Sequence, residues 1–313
     1  MIRFIITRLL NGVVLLFAVA TIAFFLLYWG AGDIARQILG ASASQETVDL
    51  KAEQLGLNEP VFSRYGEWLS NAIHGDLGAS WFTNQPVTEA ITSRMGVTLS
   101  IVIGTVILTA IVATILGVSA ARYGGWRDRT LQVVSILGLA IPGFLIAIFL
   151  VRIFAIELGW LNATGYIDFT DSFTGWLKSV TLPIIALSIG AMAAVAQQVR
   201  GAVKDAMRQD WVRTLRSRGI SENRVVYKHV LRNASGPALA ILALQFVGLL
   251  GGAVIVEKVF AIPGIGQISV TATTQGDLPI VMGIVVFTAA LVVVINLSID
   301  LLLGFVNPKV RLS

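Results

Sequence analysis

Polar and charged positions are spread unevenly along this chain, and six stretches hold almost none of them: residues 9–29, 98–121, 131–156, 180–199, 238–256 and 280–306. Each approaches or exceeds the roughly 20 apolar residues with which an α-helix crosses the ~30 Å hydrocarbon core of a bilayer. Runs of this length favour helix over strand, so the pattern predicts six membrane-spanning helices. The first run follows Arg3 and Arg8 as a signal peptide would, but no good small-residue cleavage site stands behind it. It reads as an uncleaved span.

Two of the intervening segments are long enough to fold. In residues 30–97, Ser44 can cap a helix whose first turn holds Glu46, Val48, Ala52 and Leu55 share a face, and Gly56 can end it. After the Asn58-Glu59-Pro60 turn, Tyr65, Trp68, Leu69 and Ala72 fall at i, i+3, i+4 and i+7. That apolar stripe is expected to pack on the chain's own spans or to lie at the lipid interface. The sequence GDLGASWFTNQPV then reads as a loop over an entrance, rich in turn formers and aromatic side chains.

The segment between spans four and five differs, because it is densely cationic. Asp210 can cap a short helix over residues 211–218, and Gly219 can close it in the left-handed conformation that glycine adopts without strain. Ser221 and Glu222 then start a second helix that continues into span five. On the short helix Trp211 and Leu215 share an apolar face, while Arg213, Arg216 and Arg218 project elsewhere. A polybasic strip holding anionic lipid heads accounts for the charge, at about 1 kcal/mol per basic side chain. The apolar face and the glycine break suit a groove on a partner protein instead.

Composition agrees with a membrane protein: of 313 residues 56% are hydrophobic and only 13% charged, with a mean hydropathy of +0.81. The charge also orients it. The segments on the side of the termini hold 16 of the 23 Lys and Arg residues, the opposite side holds 6, and Arg152 lies within span three. Basic residues accumulate on the cytoplasmic side, so both termini are expected there, and the net charge of +5 follows from orientation. A nucleic acid partner is not expected, because no recognition fold accompanies the basic patch.

The chemistry available is sparse. There is no cysteine, which removes disulfides, thiolate metal sites and cysteine nucleophiles. His74 and His229 both fall outside the spans, and no cluster of metal ligands, catalytic polar residues or cofactor-binding residues is visible. Arg152, near the outer end of span three, is a candidate for the translocation path, although a side chain there can also snorkel to the interface. Asp300 is the one carboxylate within a predicted span, and Gly248 and Gly252 in span five have the spacing of a close helix contact.

The stretch DWVRTLRSRGISENRVVYKHVLRNA, residues 210–234, resembles the cytoplasmic signature loop of bacterial ABC-importer permeases, in the form carried by the dipeptide, oligopeptide and nickel permease family. LGLNEPVFSRYGEWLSNAIHGDLGAS resembles that family's first outer loop, LGWLNATGY its second, VIVEKVFAIPGIG its last, and NLSIDLLLGFVNPKVRL its final span and tail, so the likeness covers nearly the whole chain. There are departures. The loop's Glu-Ala-Ala triplet falls on Arg213, Thr214 and Leu215, with Leu215 where a small residue is expected. A Leu-Pro-Gly-Asp-Pro pattern near the first span appears as Gly30-Ala31-Gly32-Asp33-Ile34 without its prolines.

The resemblance implies an all-α fold with six transmembrane helices, that of a type I ABC importer permease in a bacterial cytoplasmic membrane. It divides the chain into a first span with an outer helical segment (1–93), a five-helix core with the coupling loop 200–234 (94–306), and a cytoplasmic tail (307–313). It implies a permease without catalysis, metal or cofactor of its own, importing peptides or a related small solute. Its partners would be a homologous second permease, two ATP-binding subunits that hydrolyse ATP, an extracytoplasmic substrate-binding protein, and membrane lipid. Trp211, Arg213, Thr214, Leu215, Arg216, Gly219, Ile220, Arg224 and His229 would couple the permease to the ATPase. The chain has no Gly-x-x-x-x-Gly-Lys-Ser/Thr loop for ATP phosphates. The alternative, an ion-coupled secondary transporter, calls for repeated broken helices and mid-membrane carboxylates, which the sequence does not show.

Overall fold

A computed structural model describes residues 2–29 and 34–306. The Gly30–Asp33 part of the proline-lacking loop and the 307–313 tail lie outside the described residues. The chain forms α1 (Ile2–Trp29), α2 (Ile34–Leu39), α3 (Gln45–Gln54), α4 (Val61–Ile73), α5 (Val87–Tyr123), α6 (Gly125–Ala140), α7 (Gly143–Leu150), α8 (Phe173–Met207), α9 (Asp210–Ser217), α10 (Glu222–Arg224), α11 (Leu231–Val259), α12 (Ile265–Gln275) and α13 (Leu278–Val306). Among the described residues the β pairing is a single bridge, Ala79 to Pro86. The fold is all-α.

Five helical stretches are each long and apolar enough to cross a membrane unbroken: Ile5–Tyr28, Val87–Tyr123, Phe173–Met207, Glu222–Val259 and Leu278–Gly304. The third span in chain order, expected as a straight helix over 131–156, is broken. It is the pair α6 and α7, bent by 95° at their junction. Proline explains the break: Pro142 has no N–H to continue the ladder and forces the residue before it out of the helical region, and Ile141 sits at φ −84°, ψ 121°. α7 then passes into a π-helical turn, Val151–Glu157.

Two compact units make up the chain, neither continuous in sequence. One holds residues 97–262 and the end of α13 from Val294; the other holds residues 5–96 and 263–293.

In the first unit α8 is central and packs against α6, α7 and α11. Val180, Leu182 and Ala186 of α8 share a buried cluster with Ile101 of α5 and with Val256 and Phe260 at the end of α11. The glycine pair of span five divides in two: a side chain on Gly252 would come within 2.9 Å of Leu187 on α8, whereas Gly248 faces nothing nearer than Gln245 of its own helix. α11 also runs three residues past the expected end of span five. It therefore contains Glu257, fully buried and accepting a hydrogen bond from Thr98 Oγ1 at 2.7 Å. Asp300 is thus not the one carboxylate in a span, as expected from the sequence. Glu257 lies one residue past the apolar run 238–256, beside Lys258, where hydropathy ends the span.

In the second unit the α4 stripe lies on α1. Phe24, 1% exposed, stacks on Tyr28 at 4.1 Å and meets the rings of Tyr65 at 5.3 Å and Trp68 at 5.6 Å. Thr21 Oγ1 and the Tyr65 hydroxyl are hydrogen-bonded at 2.7 Å. Aromatic pairs of this kind add about 0.5–1.5 kcal/mol each beyond their burial, which fixes the helix on its own span. Ser44 caps α3 as expected, accepting from the Thr47 N–H.

α5 begins at Val87, well before the hydropathic limit of span two. Val87, Ala90 and Ile91 are buried against Ile265, Ala272, Ile280 and Ile284, so this first turn is covered by protein. The polar residues between them, Thr88 and Glu89, hid it from a hydropathy scan. The loop before it is pinned by Asp277, which accepts from Ser80 Oγ at 2.5 Å and from the Trp81 N–H at 3.1 Å.

Candidate coupling site

The segment between spans four and five starts where α8 ends at Met207. Gln209 is extended (φ −69°, ψ 148°) and takes the N-cap position without a side-chain bond, so Asp210 is the first residue of α9 and not its cap. A carboxylate in the first turn still favours the helix N-terminus through the macrodipole. At the other end Gly219 has φ +75°. Its N–H bonds the Arg216 carbonyl at 2.9 Å and the Ile220 N–H bonds the Leu215 carbonyl at 3.3 Å. These are the paired bonds of a Schellman ending, which needs a left-handed residue and favours glycine. Ser221 precedes α10, and α10, the π-helical turn Val225–Val230 and α11 follow one another without interruption.

The apolar face of α9 is turned toward the chain's own helices. Val212 is fully buried, and Trp211, Leu215 and Ile220 pack, half-buried, on a cluster that includes Val195, Val199 and Val203 of α8 with Val225, Val226 and Val230 of the π-helical turn. The π turn brings residues five apart to one side, which lets Val225 and Val230 both reach this cluster. Each fully buried valine is worth roughly 1.5–3 kcal/mol. An eight-residue helix is too short to hold itself, so this packing holds it.

The opposite face of α9 is accessible. Arg213, Thr214, Arg216, Ser217, Arg218 and Gly219 are exposed, as is Arg224 on α10. Arg216 donates twice to Glu222, at 2.9 and 2.6 Å, and these hydrogen bonds raise its pKa above the ordinary arginine value. That pair ties the end of α9 to α10. Arg213 makes only a loose, exposed pair with Asp210 at 3.6 Å. Beside α9, a cavity of about 290 Å³ is lined by Trp211, Lys228, His229, Arg232 and Asn233, a pocket of basic character. His229 lies on the π-helical turn. Of the residues singled out from the sequence, all nine of the loop fall in this one region. Arg152 does not. It is exposed on the π-helical turn after α7, where its Nε meets Glu157 Oε1 at 3.0 Å.

Two features escaped the sequence reading. Val212 is the residue α9 buries most deeply, signalled only by its place three before Leu215. Two of the loop's cations also belong to an internal cluster: Arg200 and Lys204 on α8 both contact the Asp128 carboxylate of α6, Arg200 Nη2 at 3.1 Å and Lys204 Nζ at 2.7 Å. Asp128 stands more than seventy positions before both cations, so no local pattern signals the cluster.

The chain as a whole is similar to known proteins. Residues 113–312 match the family model described as binding-protein-dependent transport system inner membrane component, and residues 1–102 match the model of that family's N-terminal portion. The chain belongs to this family. It is an inner membrane, multi-pass component with the type I importer permease fold. As a family member it is 38% identical over 308 residues to a putative peptide transport system permease protein of Brucella abortus (strain 2308), covering 98% of both chains. It is 35% identical to a probable peptide ABC transporter permease of Sinorhizobium fredii, covering 98% of this chain and 99% of that one. It is 34% identical to the glutathione transport system permease protein GsiC of Shigella flexneri, covering 99% of both. Among solved structures, the MetNI methionine ABC transporter in an inward-facing form has a TM-score of 0.47 at 18% identity, covering 68% of this chain and 97% of that one.

Proposed function

We propose that this permease imports peptides or closely related small solutes, delivered by an extracytoplasmic binding protein, and that α9 is the element through which partner ATPases drive it. The peptide and glutathione names of its relatives support the cargo. A homologous second permease completes the pathway, two ATP-binding subunits hydrolyse the ATP, and lipid surrounds the spans. Residues 1–93 supply an added span and outer segment to a translocating core of residues 94–306, with both termini cytoplasmic.

One observation carries the coupling role: α9 is exposed on one face and welded to α8 and to the helix leading into α11 on the other. A push on Arg213, Thr214, Arg216 or Arg218 is passed by Val212, Trp211, Leu215 and Ile220 to two spans at once. Gly219 and the Arg216–Glu222 pair set the angle of the lever, and Arg224 and His229 flank it. This is rigid-body transmission through a packed interface. Arg152, its guanidinium paired with Glu157, is proposed as a residue of the translocation path.

The test is purification through a tag on this chain. An ATPase should co-purify, and the complex in lipid vesicles should take up peptide only with ATP and the binding protein present. Uptake without ATP, driven by an ion gradient, would refute the proposal.

A further inference from the structure

Within the unit formed by residues 5–96 and 263–293 lies a second cavity, of about 360 Å³. Its walls come from the pinned loop before α5, the start of α5, and α12. They are unusually polar for a chain of this hydropathy: Gln85, Gln267 and Gln275 present carboxamides, Thr83 and Thr271 hydroxyls, and Arg94 a guanidinium.

Arg94 is one of several half-buried cations, some of which have an evident partner. Arg200 and Lys204 share Asp128, and Arg64 lies over the Tyr28 ring at 4.4 Å. The Arg94 Nη1 donates to the Ala90 carbonyl of its own helix at 2.9 Å and to Ser93 Oγ at 3.3 Å. It makes no ion pair among the described residues, and its donors meet no acceptor there beyond these two. The acid in the same wall, Asp277, is 4% exposed and has its oxygens engaged by Ser80 and Trp81. A partly desolvated cation is costly unless something pairs with it.

From this we infer that the cavity is an entrance subsite in which Arg94 holds the carboxylate of the cargo while the carboxamides and hydroxyls meet its amide groups. The inference rests on the peptide reading above and specifies it. A guanidinium matches a carboxylate in two parallel hydrogen bonds. The nearby buried Asp277 favours a singly charged carboxylate over a phosphate. A volume at the low end of the ~300–1,000 Å³ of small-molecule sites fits a short peptide, and the absence of a large aromatic lining lets side chains vary.

The experiment compares uptake of a dipeptide with uptake of its C-terminal amide, in vesicles holding the complete importer with its binding protein. The ratio of the two is measured for the natural chain and for Arg94→Gln, so that the binding protein's own preference divides out. The free-acid-to-amide ratio should fall by about tenfold or more in Arg94→Gln, because a charged hydrogen-bond pair is lost for one substrate only. Arg94→Lys, which keeps the charge but not the fork, should lie between. An unchanged ratio overturns the inference, as does an equal loss for both substrates, which would make Arg94 a contact for the binding protein. Failure of Arg94→Gln to assemble, read from basal ATP hydrolysis, would make it a structural residue and overturn the inference too. If the natural importer takes up neither peptide, the cargo reading fails first and the subsite with it.

Discussion

Replacing Val212 by alanine should separate the two faces of α9. The side chain is fully buried in the cluster joining α9 to α8 and to the π-helical turn. Losing two methyl groups costs ~0.8 kcal/mol each in transfer, and an unrelaxed cavity adds to this, for about 2 kcal/mol in all. Because α9 has only eight residues, that loss falls on its docking and not on the whole bundle. Local opening should become roughly 30-fold more frequent, at 1.4 kcal/mol per factor of ten. Hydrogen exchange reads this directly at the amides of Thr214–Gly219, which should exchange faster by about that factor while amides in the middle of α8 keep their rates. In the assembled importer, ATPase binding should persist, since the exposed arginines are intact, but solute moved per ATP should fall. Unchanged exchange together with unchanged coupling would refute the idea that buried packing makes α9 a lever.

Three further outcomes follow from other contacts. Trp68→Asp places a charge beside Phe24, at a cost of roughly 2–4 kcal/mol, so limited proteolysis between α3 and α4 should speed up; natural cleavage rates would show that the stripe does not hold α4 to α1. Asp128→Asn leaves Arg200 and Lys204 without their shared carboxylate and should lower the thermal midpoint of the purified complex at low salt, with the deficit narrowing at high salt as charge repulsion is screened; an equal midpoint would mean the cluster contributes nothing. In this cysteine-free chain, Ser42→Cys should react with an impermeant thiol reagent in intact cells and Ser217→Cys should not, whereas the reverse would invert the orientation.

The positions of the helices were legible because apolar runs of membrane length have few other uses. The break in span three was not, since residues 131–156 are apolar on both sides of Pro142 and hydropathy is blind to a missing N–H. Glu257 escaped for the converse reason: a lone carboxylate at a span's end looks like the start of a loop unless its hydroxyl partner, Thr98, is known to lie across from it. The short helix, its glycine ending and its apolar stripe could all be read from residues 210–220. What the stripe faces could not, because an amphipathic pattern says that one side is covered and not by what. Trp211 and Leu215 are half-buried against the chain's own helices, and the arginines remain on the open side.

The central claim, that the open face of α9 meets an ATPase, is tested most directly by cross-linking. A single photoreactive group on a cysteine at Thr214, an exposed position between the arginines, should capture an ATP-binding subunit in the assembled importer, with a yield that changes when ATP is bound. Adducts formed only with lipid, in every nucleotide state, would contradict the account.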